Sequence, residues 1–261
     1  MLRGRGRAVT YPLASAALVV AVAAPAARLS SAQGVADARR AVEEFVARVG
    51  NGSVTDLAIR QTLTLYHPDG RHLKSTGDQQ LFIKPPRYRR LEQTIDGQRE
   101  VQLVVAERAW VWREGKVTEA AAVERDRTRL VTPFVRNADD LVAGWKALGV
   151  RTEVSHRTFY RRRPVTIIGA GPDDRDVPAV WLDPEYGVVR VVTREKLGAH
   201  QVALDLTLSE HRPLGDGVFF PFREELFADG RLLFVVDVKS LDVNRGLSEE
   251  LFDVDALRRL R

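Results

Sequence analysis

Apolar residues recur along this chain in two rhythms. From Val35 to Val49 they fall three and four apart. Val35, Ala38, Val42, Phe45, Val46 and Val49 share a stripe, and Arg39, Arg40, Glu43, Glu44 and Arg48 lie off it. That spacing predicts an amphipathic helix, stopped by Gly50-Asn51-Gly52. From Asp56 the period becomes two, a strand rhythm. Leu57, Ile59, Leu63 and Leu65 alternate with Ala58, Arg60, Thr62 and Thr64. His67-Pro68-Asp69-Gly70 reads as a turn, and residues 73–83 return as a strand with a bulge expected at Gly77. Pro85-Pro86 removes two backbone donors, so the strand must end there. The next strand places Arg87, Arg89, Leu91, Gln93 and Ile95 on one face and Tyr88, Arg90, Glu92 and Thr94 on the other. Asp96-Gly97 and Glu114-Gly115 then separate strands over 100–105, 109–113 and from Lys116. Strand follows neighbouring strand, which is a meander.

The two-residue rhythm fails between Ala120 and Gly149. Asn137 is placed to cap a helix over 138–148, with Asp139 and Asp140 in its first turn and Leu141, Val142, Trp145 and Leu148 along one side. This insertion reads either as a core cap or as a lid over a ligand cavity. Further strands are expected over 152–160, 164–169, 177–182, 188–194, 201–210, 218–226 and 231–243, between turns rich in Gly, Pro and Asp. A short helical turn is expected near 248–251, with Phe252 and Leu257 giving the tail something to pack with. The pattern as a whole predicts a mainly β (α+β) domain built on one large antiparallel sheet.

Charge changes the picture only at the N-terminus. The 261 residues carry a net charge of +5, and the isoelectric point near 9.7 suggests a nucleic-acid binder. The first 32 residues, however, hold four arginines and no acid, so +5 falls to +1 without them. They also look removable. A cationic start to Arg7 is followed by an apolar run over 12–24, too short to span a bilayer comfortably. Ser30-Ser31-Ala32 supplies the small residues a signal peptidase reads, so cleavage near Ala32 is expected, leaving one domain over 33–261. The chain has no Cys, hence no disulfide and no acceptor for a bacterial lipid anchor. The expectation is a soluble periplasmic protein.

Candidate chemistry is sparse. His67, His72, His156, His200 and His211 have no spacing that would bring two onto one metal. Gly169-Ala170-Gly171 runs into Pro172 and two acids, not into a helix N-terminus, so it is a turn and no phosphate cradle. Asp173, Asp174 and Asp176 lack the remaining ligands of a calcium loop. Ser155-His156 and Ser209-His211 have no nucleophile-elbow context. No catalytic residue, metal or cofactor is expected. The cluster Arg87, Arg89 and Arg90 reads either as a guarded sheet edge or as a polar mouth that meets lipid phosphate or an acidic partner.

Four stretches carry a resemblance: LFIKPPRYRRLEQ from Leu81, AWVWREGKV from Ala109, VPAVWLDPEYGVVRVV from Val177 and FFPFREELFADGRLLF from Phe219. Together with the order of leader, amphipathic helix, meander, helical insertion and further strands, the chain resembles the LolA/LolB-like superfamily of periplasmic lipoprotein-localisation proteins. That superfamily includes sensor domains of the RseB/MucB type. The resemblance implies an unclosed β-barrel, a curved sheet with helices over its concave side, and binding of acyl chains beneath them. Leu63, Leu65, Leu81, Ile83, Leu91, Leu103, Val105, Trp110 and Trp112 are then expected to face the concavity, with Phe134 and Trp145 on the covering segment. The partners implied are lipoprotein acyl chains or phospholipid, taken by a monomer. Two rivals stay open: a sensor that binds an inner-membrane protein's exported domain, and a hydrolase with polar residues converging in the cavity.

Overall fold

The computed structural model describes residues 37–49, 54–85, 88–106, 108–120, 137–197, 200–215 and 217–260. Helix α1 (37–49) comes first. Strands β1 (Leu57–Tyr66), β2 (Leu73–Lys84), β3 (Tyr88–Ile95), β4 (Gln98–Val105), β5 (Arg108–Arg113) and β6 (Lys116–Ala120) then form a meander. After α2 (Ala138–Ala147) a second meander runs through β7 (Ser155–Tyr160), β8 (Arg163–Ile168), β9 (Ala179–Asp183), β10 (Gly187–Leu197) and β11 (His200–Ser209). The chain continues through β12 (Arg212–Gly215), β13 (Val218–Phe220), β14 (Arg223–Ala228) and β15 (Arg231–Val243). A 3₁₀ turn (Glu249–Phe252) and α3 (Val254–Arg258) follow.

β15 pairs with both β1 and β14 and so joins the two meanders. The result is a 13-stranded antiparallel sheet in the order β6-β5-β4-β3-β2-β1-β15-β14-β11-β10-β9-β8-β7. β6 and β7 end the order without meeting, so the barrel is unclosed. A twisted sheet this wide has to coil. At the seam, Asp56 binds the loop after β15: its buried carboxylate accepts from the backbone N–H of Arg245 at 2.8 Å and of Gly246 at 3.0 Å.

Both faces of the sheet are covered, by different segments. One face, called here the helix face, carries α1 and α2. Ala38, Val42, Phe45, Val46 and Val49 of α1 and Leu141 and Trp145 of α2 pack on Ile168, Val180, Leu182, Val191, Leu204, Leu206, Leu208 and Leu226. The same face over β1–β3 lies under Leu214, Phe220 and Phe222. On the outer face, the C-terminal turn and α3 set Phe252 and Leu257 against Val101, Leu103, Trp110 and Trp112.

Three expectations are corrected. Residues 218–226 are not one strand. Pro221 has no N–H to give a ladder, and Phe222 N–H bonds back to Ser209 O at 3.1 Å. The chain breaks there into β13 and β14, and β13 pairs with β12, a segment expected to be turn, in a separate two-stranded sheet. Gly77 is in register with Leu63 and Ile95 and forms no bulge. It is glycine because a Cβ would lie 2.5 Å from both Ile95 Cγ1 and Thr94 O. The tail also holds α3, beyond the short turn expected, with Asp253 accepting from Asp255 N–H at 2.8 Å as its cap.

Candidate functional site

Cross-strand register decides which side chains share a face, because opposed residues project the same way. Leu57 faces Ile83; Ile59, Leu81 and Leu91 form one row; Leu63, Gly77 and Ile95 form another; Leu65 faces Ser75. Across the seam Val236 is opposite Leu63 and Phe234 opposite Leu65. Leu226 and Leu206 then continue the Phe234 row. The helix face thus carries apolar rows from β3 to β11, broken at Gln61, Gln79, Gln93 and Glu224. Of the expected site residues it gathers Leu63, Leu65, Leu81, Ile83, Leu91 and Arg89.

The remainder lie elsewhere. Leu103 and Val105 are opposite Arg90 and Tyr88, and Trp110 and Trp112 are opposite Leu103 and Val101, all on the outer face. The expectation of one cavity-facing set is therefore corrected. These residues alternate against Gln98, Glu100, Gln102 and Val104, the members of β4 that point to the helix face. Leu103, Trp110 and Trp112 are buried beneath Phe252 and Leu257 instead. Arg90 goes with them: it is 5% exposed. Its Nε donates to Glu92 at 2.7 Å and a terminal nitrogen to Leu251 O at 3.0 Å. It is a clamp on the tail and not part of a mouth. Trp145 lies on the cover, in α2, fully buried. Phe134 and Arg87 lie outside the described residues.

The covers join the wall by side-chain packing and not by ladder hydrogen bonds. Neither α1, α2 nor the β12–β13 hairpin adds a strand to the large sheet. An exposed ion pair joins the two helices, Arg39 to Asp139 at 2.5 Å, and pairs of that kind are worth little in water. Phe45 of α1 fits over Gly187, where a Cβ would lie 2.6 Å from its ring.

Two polar features cross this face, and neither is apparent in the sequence. A side-chain ladder runs from Gln61 Nε2 to Gln79 Oε1 at 2.7 Å, from Gln79 Nε2 to Gln93 Oε1 at 2.8 Å and from Gln93 Nε2 to Glu100 Oε1 at 3.0 Å. Arg113 Nε donates to the other oxygen of Glu100. The ladder separates the Leu81 row from the Leu63 row. Its amides satisfy one another, which makes their burial tolerable. The second feature is Glu224, opposite Val236 and Leu208 on the helix face. Burial pushes its carboxyl up to about 7, against the nearby charge of Arg89. Arg89 Nε is itself buried with no hydrogen-bond partner. The two residues stand four strands apart and about seven residues out of register, roughly 30 Å on a flat sheet. Coiling of the sheet brings the charge within reach.

Elsewhere the chemistry is structural. Among the described residues no group of three or more His, Cys, Asp and Glu is placed to hold a metal ion. His211 stacks on Tyr186 at 4.6 Å, and burial lowers its pKa to about 4. A groove of about 210 Å³ on the β2–β4 side is lined by Asp78, Gln80, Glu92, Gln93, Thr94 and Arg99, too polar for an acyl chain.

No protein-family model and no curated protein sequence matches the chain. Solved structures do match. A domain named for outer membrane lipoprotein sorting, from Vibrio parahaemolyticus, is similar with TM-score 0.58 at 14% identity, over 86% of this chain and 100% of that one. A DUF1329 family protein from Desulfovibrio piger gives 0.56 at 13% identity, over 87% and 99%. A LolA superfamily protein from Nitrosomonas europaea gives 0.52 at 12% identity, over 84% and 98%. At such identities the likeness is one of fold.

Proposed function

We propose that the protein is a periplasmic carrier or binder of lipoprotein acyl chains or phospholipid, which it takes up on the helix face. The observation that carries this reading is an apolar wall, Leu63, Leu81, Leu91, Val236 and Leu226, under covers that belong to no strand of the wall. Each methylene hidden from water is worth about 0.8 kcal/mol, so an acyl chain that takes the place of α1, α2 and the β12–β13 hairpin on this wall gains what its burial adds beyond their own packing. The likeness to a domain named for lipoprotein sorting and to a LolA superfamily protein supports the same role. The reading involves no catalysis and no cofactor, and a monomer suffices.

The test is lipid extraction and mass spectrometry on protein purified from its own compartment, with Trp fluorescence titrated by fatty acid, phospholipid and lipopeptide. Co-purifying acyl lipid and a fluorescence change, both reduced in Leu91→Lys, are expected. Unchanged fluorescence and native mass with every ligand would sink the carrier. A second reading, a sensor that binds an inner-membrane protein's exported domain, is favoured by one observation: the helix face is filled by the protein's own side chains, Trp145 and Val42 both at 0% exposure.

A further inference from the structure

The tip of the β7–β8 hairpin combines three features. Phe159 is 75% exposed, more than Leu73 or Tyr88, the other exposed large hydrophobic side chains of the described residues. Arg157, Arg161 and Arg162 are exposed beside it. Three acids of the neighbouring turns are taken by other arginines: Asp174 by Arg151 at 2.6 Å, and Asp183 and Glu185 by Arg163, each at 2.6 Å. Arg161 lies over the Tyr160 ring at 5.4 Å, and none of the three makes an ion pair among the described residues.

The third feature is the turn. Tyr160 pairs with Arg163, so Arg161 and Arg162 are a two-residue connection. Both are left-handed, with φ of 48° and 67°. Such turns favour Asn-Gly, and side chains with a Cβ resist that backbone region. Two arginines there work against folding, so the stability of the hairpin does not explain them.

We propose that this tip docks on an anionic lipid surface. Phe159, with exposed Pro164 opposite it on the same face, enters the headgroup–acyl boundary, where apolar side chains of interfacial segments are buried. The three guanidinium groups meet lipid phosphates, which Arg matches in geometry as well as charge. A protein partner fits less well. A stable interface needs about 800 Å² per partner, and a two-strand tip on the free edge of the sheet offers a point of insertion, not a platform. The proposal stands independently of any ligand on the helix face.

The test is cosedimentation of the purified protein with phosphatidylcholine vesicles and with vesicles containing phosphatidylglycerol. Preference for the anionic vesicles, lost in high salt, is expected. Arg161→Asn with Arg162→Gly supplies the residues the turn favours. It raises Tm while weakening binding to anionic vesicles about 25-fold, at roughly fivefold per arginine. Phe159→Ser weakens binding without changing Tm. Equal affinity of the double variant and the parent overturns the proposal, as does equal binding to both vesicle types. Loss of vesicle binding in Leu91→Lys alone would move the contact to the helix face. Binding to polyglutamate but not to vesicles would assign the tip to an acidic protein.

Discussion

Arg163 holds Asp183 through two nitrogens, at 2.6 and 3.1 Å, and Asp183 has no exposed surface. The same guanidinium reaches Glu185 at 2.6 Å and lies 3.8 Å from the Tyr186 ring centre. β8 is thereby locked to the β9–β10 turn, at the end of the sheet where Phe45 packs on Gly187.

Removing one member of that pair strands the other. Arg163→Ala is expected to cost about 3 kcal/mol, the low end for a buried pair because Arg163 keeps some solvent contact; urea unfolding measures it. Burial alone would raise the Asp183 pKa, but Arg163 and the N–H groups of Tyr186 and Glu185 outweigh it and hold the carboxyl below the usual range. Its contribution is therefore complete above the unfolded value near 3.9 and fades as pH falls through the lower folded value. Asp183→Asn should remove that part of the acid limb.

Glu224 should act in the opposite direction. Its folded pKa, raised to about 7 by burial, exceeds the unfolded value near 4.3. The native state binds the extra proton between the two, so stability is full below the lower value and declines as pH rises through the upper one. Glu224→Gln should flatten the slope between pH 5 and pH 7, read from urea midpoints. An unchanged slope would mean the carboxyl is ionised in the folded protein.

Gly187 takes φ of 82° and leaves room for the Phe45 ring. Gly187→Ala both strains the backbone and collides with α1, at a cost of about 2–4 kcal/mol. Hydrogen exchange should show α1 opening before the sheet. If α1 is the cover that a ligand displaces, acyl probes should bind this variant faster.

Arg90 fixes the C-terminal turn through Leu251 O. Arg90→Leu loses a charged hydrogen bond worth about 1.5–3 kcal/mol. Limited proteolysis should cut the tail first, while the helix face, which Arg90 does not reach, keeps its behaviour with acyl probes.

Local pattern carried most of the fold. The alternation at Leu57, Ile59, Leu63 and Leu65, the stops at Pro85 and Gly97, and the Asn137 cap all depend on neighbours within a few residues. Asn137 accepts from Asp139 N–H at 2.8 Å, as its position implies. The apolar run across Pro221 looks continuous in sequence, and only the corner that the chain turns there breaks it into β13 and β14.

Which residues are opposite which was not local. The period of two sorts each strand into two faces but leaves open which face meets its neighbour's. Leu91 and Leu103 are equally apolar, yet the β3–β4 register sends Leu91 to the helix face and Leu103 under Phe252. The same register aligns Gln61, Gln79, Gln93 and Glu100, contributed by four strands, and coiling brings the charge of Arg89 to Glu224. The amino-acid order settled most of the elements and their turns, since those follow from short-range sterics and periodicity, but not the β12–β13 hairpin or α3. The composition of the interior waited on long-range pairing and sheet curvature, which alone decide what each side chain faces.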